Sequence, residues 1–320
     1  MYIAISLLFL IFSICPAHTA PNEDFSLWLD ELRQQALSEG ISSSTLDKSL
    51  ADLAPLDRVL QLDRRQPEKT QTLNRYMANV VPAVRIAKGH AELERNDKLL
   101  DKVSSEYAVQ PRFIIALWAI ESDFGRNAGN TPVIGALATL AYAGRRSTYF
   151  RKELLVALNI LDRGDVDPSN MIGSWAGAMG QCQFMPWSFK RRAVDFDGDG
   201  KRDIWHTRDD IFASIANYLK SSGWHQDQTW GREILLPPHF DKKLLGLKTQ
   251  KSLDQWQALG VRRLNGSALP KRQLQASLVR PQRASGRTFL IYDNYRVLLK
   301  WNNSHYFALA VSFLADQINR

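Results

Sequence analysis

Pro111-Arg112-Phe113-Ile114-Ile115-Ala116-Leu117-Trp118-Ala119-Ile120-Glu121-Ser122-Asp123-Phe124-Gly125 is the stretch that decides the fold. Proline suits the first turn of a helix, because its missing N–H has no partner there anyway. The eight residues after Arg112 are all apolar. A helix that is apolar on every side belongs inside a protein, so this one predicts a helical core around it. Glu121 then stands near the C-terminal end, where Gly125 can close the helix. Burial desolvates a carboxylate, and the negative end of the helix dipole repels it. Both effects raise a carboxyl pKa, as a general acid working near neutral pH requires. The plainer reading makes Glu121 the first exposed residue, or a partner of Arg126.

The flanking chain extends the helical pattern. Leu27, Trp28, Leu32 and Ala36 recur at helical spacing, as do Tyr76, Val80, Val84 and Ala87, with Gly40 and Gly89 placed to stop helices. Past Trp224 the short runs Glu233–Leu236, Leu278–Val279 and Thr288–Tyr292 lie between Pro, Gly and Asn/Asp punctuation. Helix returns at Tyr306–Ile318. The expected organisation is an α-helical region over 21–224, a small β-rich subdomain over 225–295, and a C-terminal helix within 296–320 that returns to the core. The fold class is mainly α with a small β-rich subdomain.

Residues 1–20 read as an export signal. Tyr2 to Cys15 is apolar apart from two serines, a run too short to span a bilayer comfortably. Ala17 and Ala20 are both cleavage candidates, and Cys15 offers the alternative of a lipid anchor. The expected location is the periplasm. After cleavage Cys182 stands alone, so no internal disulfide can form. The six histidines lack zinc-type spacing. The 41 Lys and Arg exceed the 33 Asp and Glu by 8. In an exported protein that excess suits an anionic wall polymer rather than nucleic acid.

Two further stretches carry candidate chemistry. In 173–186, small residues surround Ser174, Gln181 and Gln183, which suits either the floor of a polar groove or tight helix packing. In Asp195-Phe196-Asp197-Gly198-Asp199-Gly200, carboxylates at positions 1, 3 and 5 with glycine at 6 match the start of an EF-hand loop. Position 12 is His206, so the standard loop fails, and a longer one, 195–210, must close on Asp209 or Asp210. A structural Ca2+ and a metal-free Asx turn are both open. Thr207 with Asp210 also reads as a capping box for the next helix.

Ala119–Arg126, Pro132–Ile134, Ala136–Leu140, Gly173–Gln181, Gln183–Pro186, Ala193–Gly200, Ala216–Leu219 and Trp301-Asn302 together resemble the lytic murein transglycosylase B family. The resemblance runs in order over nearly everything after residue 20. It implies a lysozyme-like core. It also implies non-hydrolytic cleavage of the β-1,4 bond between N-acetylmuramic acid and N-acetylglucosamine, leaving a 1,6-anhydro end. Glu121 would be the single acid and base. Ser174, Gln183, Tyr218, Trp301 and Asn302 would hold the sugars, together with Tyr76, Arg145 and Arg146. No cofactor is needed for the chemistry. The expected partner is the peptidoglycan glycan strand, engaged by a monomer, with other cell-wall enzymes as candidate associates. Ordinary glycosidases use two carboxylates about 5–9 Å apart. Asp123 lies two residues from Glu121 and so points elsewhere on a helix. A hydrolase that activates water, and a wall-binding module without catalysis, are the competing classes.

Overall fold

Helix α7 (Pro111–Ser122) forms where the apolar run predicts it, with Pro111 in its first turn and every side chain from Phe113 to Ala119 buried. It ends at Ser122, earlier than Gly125. Asp123, Phe124 and Gly125 have φ of 51°, 60° and 81°, three left-handed residues in succession. The Asp123 and Phe124 amides turn back onto the Ala119 and Trp118 carbonyls and close the helix. Glycine is needed at 125, because a Cβ there would stand 2.3 Å from Gln181 Oε1.

The computed structural model describes residues 21–64, 71–282 and 286–318. The export signal read at 1–20, with Cys15, lies outside them. Helices α5 (Ala83–Arg95), α6 (Asp97–Tyr107), α11 (Arg208–Ser221) and α14 (His305–Gln317) pack around α7. This ring makes α7 the centre of the main core. Beside it, α8 (Val133–Ala143) and α9 (Ser147–Asp162) form a second apolar pair. On that pair lie α2 (Ser43–Leu50), α3 (Asp57–Arg64) and α10 (Pro186–Arg192), with α1 (Pro21–Ser38) against α2.

Several local expectations change. The run through Tyr76, Val80, Val84 and Ala87 is two helices, α4 (Leu73–Val80) and α5, not one. Pro82 lacks an amide and drives Val81 out of the helical region, and Val84 is left 74% exposed. Gly89 does not stop a helix. It sits inside α5, where a Cβ would meet Ile318 Cγ2 at 2.7 Å, so it lets the end of the chain approach closely. In α1, Leu27 faces solvent and Phe25 takes its place in the core, stacked on Trp28 at 5.6 Å.

A two-stranded sheet pairs β1 (Thr131–Pro132) with β2 (Ile172–Gly173). The larger sheet contains β3 (Gly231–Leu235), β4 (Gly246–Ser252), β5 (Arg262–Arg263), β6 (Gln275–Val279) and β7 (Thr288–Ile291), in the antiparallel order β4-β6-β7-β3-β5. Alternation divides its faces. Val279, Phe289 and Ile291 join the main core. Leu278, Leu290 and Tyr292 close a small second core with Trp256, Val261 and Leu269. Trp256 belongs to α12 (Leu253–Ala258), which starts with a capping box between Ser252 and Gln255. Two helices, not one, follow the sheet, α13 (Asp293–Trp301) and α14, and α13 already begins at the end of the stretch read as β-rich. No helix among the described residues is long and apolar enough to cross a membrane.

A candidate active site at the end of the buried helix

Glu121 leaves the core with the last turn of α7 and becomes a wall of a cavity of about 530 Å3. Burial raises its pKa from 4.5 to about 7, against the opposing effect of a hydrogen bond from Trp301. That bond runs from the indole Nε1 to Glu121 Oε1 at 2.6 Å. Arg126, the alternative partner, instead pairs with Asp123 at 2.6 Å. Arg85 adds a second guanidinium to Asp123 at 3.4 Å, and Asp123 does not line the cavity.

Trp301 is the last residue of α13, and packing fixes its ring. Tyr218 and Phe184 stand 4.6 and 5.3 Å from it, centroid to centroid. Tyr218 on α11 is anchored by its hydroxyl, which donates to the Lys300 carbonyl at 2.8 Å. Tyr76 on α4 lies against Tyr306 at 5.5 Å. Burial raises its pKa, and the nearby charge of Glu121 raises it further. Asn302, next to Trp301, is exposed. The structure thus brings Trp301 and Tyr76 to Glu121 and packs Tyr218 behind Trp301, from three separate helices, though none of the three lines the cavity.

Ser174 and Gln183 line the cavity with Glu121. Ser174 Oγ accepts the Ala178 amide at 3.1 Å. Gln183 has a φ of 50°, and its Nε2 donates to the Ala128 and Gly180 carbonyls, both at 2.8 Å. Gln181 serves the frame instead, accepting from Trp118 Nε1 and donating to the Trp205 carbonyl. The small residues of this stretch are also packing residues: a Cβ on Gly177 would lie 2.3 Å from Leu137 Cδ2. The stretch 173–186 thus packs closely on the helical core and also lines the cavity.

Arg145 and Arg146 do not line this cavity. Arg145 donates to the Asp63 carbonyl at 2.7 Å, and Arg146 lies over Tyr149 and Phe150. The facing wall comes from Leu56, Arg58, Val59 and Leu62, with Asn127, Asn130 and Thr131 beside Glu121. Sequence reading missed these residues. Their stretch, 56–62, is a short amphipathic helix with no unusual residue, and only tertiary placement brings it to the cleft. A larger cavity of about 680 Å3 opens at the other end of α7, beside Pro111 and Arg112. The raised carboxyl, not the volume, makes the smaller cavity the candidate site.

The acidic loop forms a second candidate centre. Gly198 and Gly200 take left-handed φ of 78° and 88°. Asp195 accepts the amides of both, at 2.8 and 2.9 Å, so the loop curls around this carboxylate. Asp197 accepts the Asp199 amide, and Asp199 that of Lys201. The capping box expected of Thr207 and Asp210 does not form. Asp210 turns inward instead and accepts the amides of Phe196 and Asp203, both at 2.7 Å, tying the two ends of the loop. Carboxylate oxygens of Asp195, Asp197 and Asp210 lie within 4.8 Å of one another, while Asp199 stands outside that group. All donors are oxygen and the glycines keep the loop tight, which fits a hard divalent cation such as calcium. Burial raises the Asp210 pKa to about 6; the two amides lower it, and Asp197 and Asp195 raise it.

Residues 24–316 match the family model for the transglycosylase SLT domain. The membrane-bound lytic murein transglycosylase B of Escherichia coli (strain K12) is 32% identical over 316 residues, covering 93% of this chain and 83% of that protein. The crystal structure of SltB3 from Pseudomonas aeruginosa in complex with NAG-anhNAM-pentapeptide matches with a TM-score of 0.90 and 47% identity, over 92% of this chain and 79% of that one. The Escherichia coli lytic transglycosylase Slt35 in complex with calcium matches with a TM-score of 0.76 and 31% identity, over 93% and 92% of the two chains.

Proposed function

The chain belongs to the transglycosylase SLT domain family and is a peptidoglycan lytic transglycosylase with a lysozyme-like core; on that premise we propose that Glu121 alone moves the protons of the reaction. The observation that carries this reading is the Trp301–Glu121 bond. An indole N–H can only donate, so Oε1 accepts and the proton of the neutral acid is left to Oε2. With a pKa of about 7, much of the enzyme holds that proton at neutral pH. Glu121 donates it to the glycosidic oxygen between N-acetylmuramic acid and N-acetylglucosamine. The resulting carboxylate accepts the proton of the muramic C6 hydroxyl as that oxygen closes on C1. One bond breaks, one forms, and the proton count is unchanged.

Water has no second carboxylate in this cavity, among the described residues, to activate it. Glu121 is the only carboxylate lining the cavity among the described residues, and Asp123 is held by Arg85 and Arg126. Ser174 and Gln183 supply neutral hydrogen bonds to the sugars, and Tyr76, Tyr218 and Trp301 supply flat apolar faces. Asn302 and the pair Arg145-Arg146 belong to the outer part of the groove in this reading. A calcium ion on Asp195, Asp197 and Asp210 would brace the loop before α11, away from the chemistry. The protein acts as a periplasmic monomer on glycan strands.

Cleavage in ¹⁸O-labelled water tests the proposal. The new muramic end should carry no label and weigh one water less than the hydrolytic product. Label at C1 would mean activated water and a second acid, with Asp123 the first residue to examine.

A further inference from the structure

The β-rich subdomain brings an unusual set of donors to one face. Ile234 pairs with Arg263 across β3 and β5, and Arg232 pairs with Leu290 across β3 and β7. Arg232 lies two residues before Ile234, and Tyr292 two residues after Leu290. Strand alternation therefore places Arg232, Arg263 and Tyr292 on the same side of the sheet. The Arg232 guanidinium stands 6.0 Å from the centroid of the Tyr292 ring. Tyr292 is only 1% exposed. Its hydroxyl, Nε of Arg232 and Nε of Arg263 are all buried without a hydrogen-bond partner. Arg232 approaches that hydroxyl without the alignment of a full bond.

The nearby acids are already engaged. Asp316 pairs with Arg112 at 3.0 Å and accepts Trp230 Nε1 at 2.7 Å. Glu233 is held by Arg287 at 2.7 Å. Arg272, whose charge also reaches Tyr292, pairs with Asp227 at 2.9 Å. Three buried donors in one place cost stability unless an acceptor meets them. Two guanidiniums and a hydroxyl match the paired oxygens of a carboxylate or phosphate. Arg272, but none of the three donors, lines the 680 Å3 cavity at the start of α7.

We propose that Arg232, Arg263 and Tyr292 form an oxyanion-binding site, with Arg272 beside it, separate from the cleft of Glu121. Its ligand is a molecule bearing a carboxylate or phosphate group. The proposal does not depend on the assignment of Glu121.

The test is thermal unfolding of the full chain with inorganic phosphate, with N-acetyl-dialanine, and with chloride at matched ionic strength. Phosphate or the acetyl-dipeptide should raise Tm saturably while chloride does not. Stronger binding of one or the other tells a phosphoryl ligand from a peptide chain end, and either supports the site. The double variant Arg232→Gln, Arg263→Gln should weaken binding about tenfold or more, with cleavage of peptidoglycan retained. Tyr292→Phe should keep or raise Tm without ligand, because it removes an unpartnered buried hydroxyl, yet respond less to the anion. Glu121→Gln should respond as the wild type does. An equal rise with chloride, no rise with either anion, or a full response in the variants would overturn the proposal.

Discussion

Glu121 owes its hold on a proton near neutral pH to α7, which delivers a carboxyl from a fully apolar helix to the edge of the core. The same environment weakens the fold. Its folded pKa of about 7 lies above the ordinary 4.5, so the folded protein binds the proton more tightly than the unfolded chain. The stability this contributes is complete below pH 4.5 and lost as pH rises through about 7, a loss of at most about 3 kcal/mol. Glu121→Gln should therefore lose about 10²–10⁴ in turnover and melt higher than the wild type at mildly alkaline pH. Equal melting curves there would contradict the raised pKa. Trp301→Phe removes the one donor that lowers this pKa. The alkaline limb of the kcat/KM profile should move to higher pH, and an unmoved limb would separate Trp301 from proton transfer. Glu121 was legible in the sequence because a lone charge after eight apolar residues is rare. Its indole partner was not, since nothing local in Trp301-Asn302 says what the ring touches.

The loop before α11 joins two backbone stretches through Asp210. With a folded pKa of about 6 against an ordinary 3.8, Asp210 contributes stability that is complete at low pH and lost as pH rises through about 6. Without metal, the protein should thus lose stability between pH 4 and 7. A bound cation offsets the repulsion among Asp195, Asp197 and Asp210. Calcium should raise Tm at neutral pH, adding about 2.7 kcal/mol of stability at a hundredfold excess over Kd. Asp197→Ala with Asp199→Ala should abolish the rise. A calcium response left whole in that variant would remove the loop from consideration. The carboxylate spacing was readable in the sequence. Whether Asp210 caps a helix or closes the loop was not, because both fit the same residue and only the amides of Phe196 and Asp203 decide between them. Gly89 misled for a related reason: glycine marks either a chain reversal or a close approach, and here it is the approach of Ile318.

Across the whole molecule, one apolar core runs from the helices around α7 into one face of the larger sheet through Val279, Phe289 and Ile291. Unfolding should be a single transition, with helix content by circular dichroism and the tryptophan fluorescence falling together. A separate early loss of one signal would show the sheet unfolding by itself. The mainly α character and the small β-rich part were legible from periodicity, while the assembly of the cleft was not. Leu56–Leu62 come to face Glu121 only through packing of α3 on α8.

The bond between Glu121 and Trp301 spans 180 residues. During synthesis, the acid emerges long before the indole that orients it, and α7 lacks the covering of α14 until residues 305–317 are made. A growing chain therefore carries the Glu121 carboxyl without its indole partner while the next 180 residues are made. The indole arrives only with α13 and the covering of α7 only with α14, so on the proposed reading a copy that stops short of both should not cut.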